Sequence, residues 1–363
     1  MTSERQLGIA VIGAGYWGPN LVRTAQQTAG LRLEYLCDLD VDRARTVLGR
    51  YSTVRTTPSL DDVLADPAVD AVAVATPAAT HLPVARAALE AGKHVLVEKP
   101  LAANLDDGRD LVELAERNGL VLMLDHTYCY TPVVAHLREL VRGGGIGSIQ
   151  YVDSVRINLG IVQSDVDVLW DLAPHDLSIF LSVLPDNVVP VAVAAHGSDP
   201  IGAGLACVAH LTVQLSNGAI AHVHVNWLSP TKIRTMVIGG STHTVVWDDL
   251  NPSQRLSIYD RGVDPATSSA DTKTRRLVSY RVGDMVAPAL PEREALRGVM
   301  AEFTASINEG RRPLTDGWSG IRVLAVLEAA SASLREGGVF MPILGFDDTT
   351  AGLVAGEQKG ISA

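Results

Sequence analysis

The chain has 363 residues, of which 47% are hydrophobic and 20% charged, so it is long enough for two domains with sizeable cores and is neither disordered nor fibrous. Its formal net charge of -11 argues against nucleic acid and offers no basic face to anionic lipid, and no apolar run approaches membrane-spanning length. Cys37, Cys129 and Cys207 stand far apart without a Cys-x-x-Cys pair, which points away from disulfides and structural zinc and towards a reducing cytoplasm, with small molecules as partners.

Leu7-Gly8-Ile9-Ala10-Val11-Ile12 reads as a first strand and breaks into Gly13-Ala14-Gly15-Tyr16-Trp17-Gly18-Pro19. A strand followed at once by Gly-x-Gly-x-x-Gly and a helical pattern is the context of a dinucleotide site. Gly13 permits the tight turn, Gly15 the approach of backbone to a pyrophosphate, and Gly18 close packing of helix on strand. Pro19 fits a first helical turn, which makes no use of its missing N–H. A second strand, 31–37, ends at Asp38, placed to accept hydrogen bonds from an adenine ribose. An aspartate there favours NAD and repels the extra phosphate of NADP.

Alternation continues with a helix over 59–65, a strand over 71–75, a helix over 80–91, the strand ending at Glu98-Lys99-Pro100, a helix over 104–118 and a strand over 120–124. This predicts a doubly wound parallel sheet of about six strands. Thr76-Pro77 sits at one strand end and should line the cofactor cleft, while His81 reads as a helix-start residue rather than a catalyst. Lys99, at the carboxyl end of a buried strand, is the first catalytic candidate, because ligands of open α/β sheets collect there.

Beyond 126 the pattern changes. A helix over 132–142 and Gly143-Gly144-Gly145 lead into strand-like segments at 149–158, 188–196, 207–215, 219–227, 232–238 and 244–247, with a hairpin signal at Asn217-Gly218. The second domain is thus expected to be α+β around a large, mostly antiparallel open sheet. Residues 260–273 read as an exposed loop, and helices close the chain at 294–309 and 317–336. The expected division is a Rossmann domain over 1–127, a substrate and oligomerisation domain over 128–350, and a polar tail over 351–363. A face of an antiparallel sheet left unburied by helices predicts a homodimer or homotetramer.

The second chemical constellation is Trp170-Asp171-Leu172-Ala173-Pro174-His175-Asp176. With Pro174 in a first turn, Asp171 is expected as the helix cap and His175 one turn later on the same face, where a helix start disfavours its protonation and suits a general base. His222 and His224 share a strand face, too few ligands for a metal.

The glycine-rich start, Thr76-Pro77 before a helix, Glu98-Lys99-Pro100 and Asp171-x-x-x-His175 resemble the Gfo/Idh/MocA oxidoreductases over nearly the whole chain. Within that family, Tyr16-Trp17-Gly18-Pro19-Asn20, His126-Thr127-Tyr128, Trp170 to Asp176 and Asp248-Asp249-Leu250 are similar to the branch that oxidises C3 of nucleotide-linked N-acetylamino sugars or uronates. The resemblance implies Lys99, His175 and Asp171 as catalytic residues and NAD as cofactor. It adds Tyr16, Trp17, His81, Glu98, Lys99 and Pro100 to the glycines, Asp38, Thr76 and Pro77 as cofactor contacts. Lys99, His126, Tyr128, Asp171 and His175 stand as substrate contacts, joined from the second domain by Arg156 and Asn158, which alternate on one strand face. A dTDP-deoxyhexose 3-ketoreductase, a free sugar or inositol dehydrogenase and a non-catalytic NAD(P)-dependent sensor remain alternatives, and the Gly-Gly pair many relatives carry before the Asp-x-x-x-His segment is here Asp167-Val168-Leu169-Trp170.

Overall fold

The computed structural model describes residues 6–164, 166–264 and 279–346. These divide into two compact units: 6–131 with 293–328 and 345–346, and 132–292 with 329–344. The segment after residue 128 therefore does not form one continuous block.

The first unit begins β1 (Leu7–Ile12), α1 (Gly18–Gln27), β2 (Leu31–Cys37), α2 (Val41–Leu48), β3 (Arg55–Thr57), α3 (Leu60–Ala65), β4 (Ala71–Val74) and α4 (His81–Glu90). It continues with β5 (His94–Val97), α5 (Leu105–Arg117) and β6 (Leu122–Leu124). The strands form a parallel sheet in the order β3-β2-β1-β4-β5-β6. β1 and β4 are buried along their whole length, as strands covered on both faces must be, which is why they read as unbroken apolar runs. Helix starts follow local chemistry: Ser59 accepts from Asp62 N–H at α3, and Asn104 from Asp107 N–H at α5, whose first turn carries Asp106 and Asp107 towards the positive end of the helix dipole.

The second unit takes α6 (Pro132–Arg142), β7 (Ile149–Leu159), α7 (Val168–Val183), β8 (Pro190–Ser198), β9 (Val208–Leu215), β10 (Ile220–Asn226), β11 (Leu228–Gly240), β12 (Thr244–Asp248), β13 (Leu256–Asp264) and β14 (Ser279–Val286). Helix α8 (Ala295–Glu309) returns to the first unit, α9 (Gly317–Arg335) passes from one to the other, and β15 (Met341–Pro342) adds a last edge. The sheet runs β14-β13-β12-β11-β7-β10-β9-β8-β15, antiparallel except for the β7–β10 pair. Asn217-Gly218 makes the expected hairpin, with Gly218 at φ 86°. Residues 260–264, expected in a loop, belong instead to β13, carried through to Asp264 by cross-strand pairing with β14; the rest of that expected loop lies outside the described residues, as does the tail from 347.

Along β10, Ala221, Val223 and Val225 are buried on the side that packs α7, while Ile220, His222 and His224 occupy the other face. Across that face His196, His210 and His224 stand opposite one another on β8, β9 and β10, with the last two rings stacked at 4.0 Å. In the first unit, Leu296, Val299, Met300 and Phe303 of α8 join Ile9, Val11, Leu36, Ala73 and Met123 in one core, so a late helix closes an early sheet.

Candidate active site

In the first unit, β1 and β4 lie side by side where the strand order reverses, the place at which doubly wound sheets open a crevice for dinucleotides. The glycine loop fits such a ligand. Gly13 has φ +104°, and a Cβ there would meet the Ala75 carbonyl oxygen at 2.6 Å. A Cβ on Gly18 would strike the Gly13 carbonyl oxygen at 2.1 Å, whereas Gly15 faces open space. Tyr16 is exposed and Trp17 half-buried. Asp38, at the tip of β2, accepts hydrogen bonds from the N–H groups of Ala14 (2.6 Å) and Asp40 (2.8 Å), so its carboxylate reaches the loop as well as the ribose position. Arg43, a residue type that would accommodate a ribose phosphate, is drawn to Asp40 (3.3 Å) and Asp38 (4.0 Å). The buried Thr76 Oγ1 has no hydrogen-bond partner, the condition of a polar atom awaiting a ligand, and Pro77 beside it is exposed.

His81 corrects one expectation. It is buried, with Nδ1 2.8 Å from the Pro100 carbonyl oxygen and Nε2 2.9 Å from that of Thr76. Both ring nitrogens are occupied by backbone, so it braces the loops after β4 and β5 instead of contacting cofactor. Burial holds its pKa below the ordinary value.

Lys99 follows β5, half-buried, between Glu98 and a cis-bonded Pro100. Burial and the neighbouring Asp125 push the Glu98 carboxyl well above the ordinary carboxylate range. Asp125, at the end of β6, accepts hydrogen bonds from Trp17 Nε1 (3.1 Å) and the Thr127 hydroxyl (2.7 Å). His126 is buried with neither ring nitrogen bonded, and its pKa is lowered to about 3 by burial and then by the charges of Lys99 and Arg322. Tyr128 lies half-buried in the short 3-10 turn that follows.

In the second unit α7 starts earlier than expected. Asp167, not Asp171, is its cap, accepting from Trp170 N–H at 3.0 Å; either aspartate suits a cap, and the earlier start leaves Pro174 inside the helix. His175 therefore sits in the second turn, where the macrodipole has decayed, and the dipole argument for its neutrality lapses. Asp171 and His175 still share a helix face at i, i+4, and Asp171 Oδ2 accepts from Trp227 Nε1 at 3.0 Å. Arg156 is also corrected: Ser154 and Arg156 point from β7 into the α7 side, where Arg156 Nε meets Asp176 Oδ2 at 2.6 Å and the Ser154 hydroxyl donates to Asp176 Oδ1 at 2.8 Å. Both charged side chains are 4% exposed, so this is a buried structural pair and not a substrate contact. Asn158, further along β7, is half-buried.

Sequence reasoning missed Asp125, Arg322 and Trp227, and gave Asp176 no partner. Only Asp125 left a local signal, an acid at the end of a parallel strand; the others are recognisable through partners distant in sequence.

A family model for the NAD-binding Rossmann fold of the Gfo/Idh/MocA oxidoreductases matches residues 7–126, and one for the Gfo/Idh/MocA C-terminal domain matches residues 134–246. The chain belongs to this family of NAD-binding oxidoreductases. It is 31% identical over 317 residues to the UDP-N-acetylglucosamine 3-dehydrogenase of Acidithiobacillus ferrooxidans, covering 87% of this chain and 93% of that protein. A solved structure of that dehydrogenase is similar at TM-score 0.76 and 29% identity, covering 91% of this chain and 98% of the other. The fold is also that of GenD2 from gentamicin A biosynthesis, solved in complex with NAD, at TM-score 0.77 and 23% identity over 94% and 97% of the two chains.

Proposed function

We propose that this oxidoreductase transfers hydride between NAD and C3 of a nucleotide-linked sugar. The observation that carries this reading is the 31% identity with UDP-N-acetylglucosamine 3-dehydrogenase across most of both chains. Lys99 hydrogen-bonds the reacting oxygen and stabilises negative charge as it develops there. His175 accepts the hydroxyl proton as general base, and Asp171, anchored by Trp227, orients it. Bound NAD supplies the hydride acceptor. His126, Tyr128 and Asn158 are the remaining substrate contacts in this reading.

The test mixes purified protein with NAD and a panel of nucleotide sugars, free sugars and inositols while nicotinamide absorbance is followed. Reduction with nucleotide sugars alone is expected; a response confined to free sugars or inositols would overturn the substrate class.

The same reading takes the protein to be a homodimer or homotetramer built on the sheet of the second unit, whose face away from α7 exposes Tyr151, Ile220 and Ile233. Light scattering should give a mass at least twice that of one chain, and a monomer would contradict it.

A further inference from the structure

We propose that Glu98 and Asp125 share one proton, carried by Glu98, and that Asp125 is thereby a positioning residue for the Glu98-Lys99 segment. The backbone brings the two carboxyls together. β5 and β6 pair in register through Val97 and Leu124, so the next residues, Glu98 and Asp125, leave the two strands side by side. Their main chains are fixed there, Glu98 N–H donating to the Val74 carbonyl at 3.0 Å and Asp125 N–H to that of Val97 at 2.8 Å. The side chains lie within hydrogen-bond reach, and Asp125 is 1% exposed. Two carboxylates in contact away from water cannot both ionise.

The donors decide which of them keeps the proton. Trp17 Nε1 and the Thr127 hydroxyl both donate to Asp125, one to each oxygen, and stabilise its anion. Glu98 Oε1 is buried without a partner, and its carboxyl meets one donor, the main-chain N–H of Lys99, against two on Asp125. Glu98 is thus the acid that donates, and Asp125 the carboxylate that accepts. Burial first, and Asp125 second, raise the Glu98 pKa, in agreement with that assignment. The other ionisable groups around the pair are Lys99, adjacent in the chain, and His126, kept neutral by burial and by the charges of Lys99 and Arg322.

A protonated Glu98 adds no charge beside Lys99 and presents a neutral carboxyl at the carboxyl end of β5. Because Trp17 belongs to the glycine loop, the Asp125 carboxylate also ties that loop to the ends of both strands. The consequence for turnover rests on the role proposed above for Lys99; the location of the proton does not.

Infrared spectroscopy of the whole protein, without cofactor or sugar, tests the assignment and separates its failure from failure of the substrate reading. At neutral pH the carbonyl band of a protonated carboxyl should be present, and Glu98→Gln should remove it. Subtracting the two spectra isolates Glu98 from other acids with raised pKa values, such as Asp316. In Asp125→Asn the like charge is gone, so the Glu98 band should titrate at least about one pH unit lower, a tenfold change in its dissociation constant. No band difference between wild type and Glu98→Gln, or an unchanged or higher midpoint in Asp125→Asn, would overturn the proposal.

Discussion

Lys99 and Asp38 stand at the ends of two strands of one sheet, and the chemistry assigned to them is separable. If Lys99 stabilises charge on the reacting oxygen while the glycine loop and Asp38 hold the dinucleotide, Lys99→Met should leave NAD affinity nearly unchanged. Its turnover should fall by about a hundred- to ten-thousand-fold, the usual loss on removing an acid/base or charge-stabilising group. A lysine that only supports the strand end would instead lower thermal stability slightly and leave turnover intact. Asp38→Ala should act on the other arm. It removes hydrogen-bond acceptors for the ribose and releases Arg43 from one of its two carboxylates. The ratio of kcat/KM for NAD over NADP should drop by about ten- to a hundredfold, the worth of one or two charge-assisted hydrogen bonds. Unchanged preference would remove Asp38 from cofactor selection.

Among the elements, β7 and α7 are joined by charge as well as by apolar packing. Arg156 and Asp176 are buried together, so Asp176→Ala would strand a guanidinium away from water. It should destabilise the protein by about 3–5 kcal/mol in urea unfolding, while the double substitution Arg156→Met/Asp176→Ala should recover much of the loss. Equal destabilisation by the single and double variants would contradict a compensated pair. The same elements show where sequence reasoning stops. Period-2 alternation along β7 places Ser154 and Arg156 on a common face but does not say whether that face meets α7 or solvent, since register and covering helix are set by distant residues. Asp167 and Asp171 are equally good caps four residues apart, and only the tertiary setting chooses between them. By contrast, the turn at Gly13, the tip of β2 at Asp38 and the hairpin at Gly218 were legible, because each is fixed by backbone geometry a few residues long. β13 was not foreseen and runs into the expected loop, because pairing with β14 outweighs local turn chemistry.

For the whole molecule, five histidines give a shared acid response. His81, His94, His126, His210 and His224 all have folded pKa values below the ordinary histidine value, burial being the first cause in each case. Since the unfolded chain binds these protons more readily, stability is fully present above about pH 6.5 and is lost as pH falls from there towards the folded values. His126, lowered to about 3, should account for the largest part. Urea midpoints should therefore decline below about pH 6.5, and His126→Phe should flatten the decline; a profile unchanged by that substitution would contradict it.

The proposed activity is hydride transfer between C3 of a nucleotide-linked sugar and NAD. It is tested most directly with UDP-N-acetylglucosamine carrying deuterium at C3, incubated with NAD and the purified protein, and with the reduced nicotinamide then analysed by mass spectrometry. Deuterium in the reduced cofactor, and slower reduction than with unlabelled sugar, are expected. Reduced cofactor free of deuterium, or no reduction with this or any other nucleotide sugar, would contradict it.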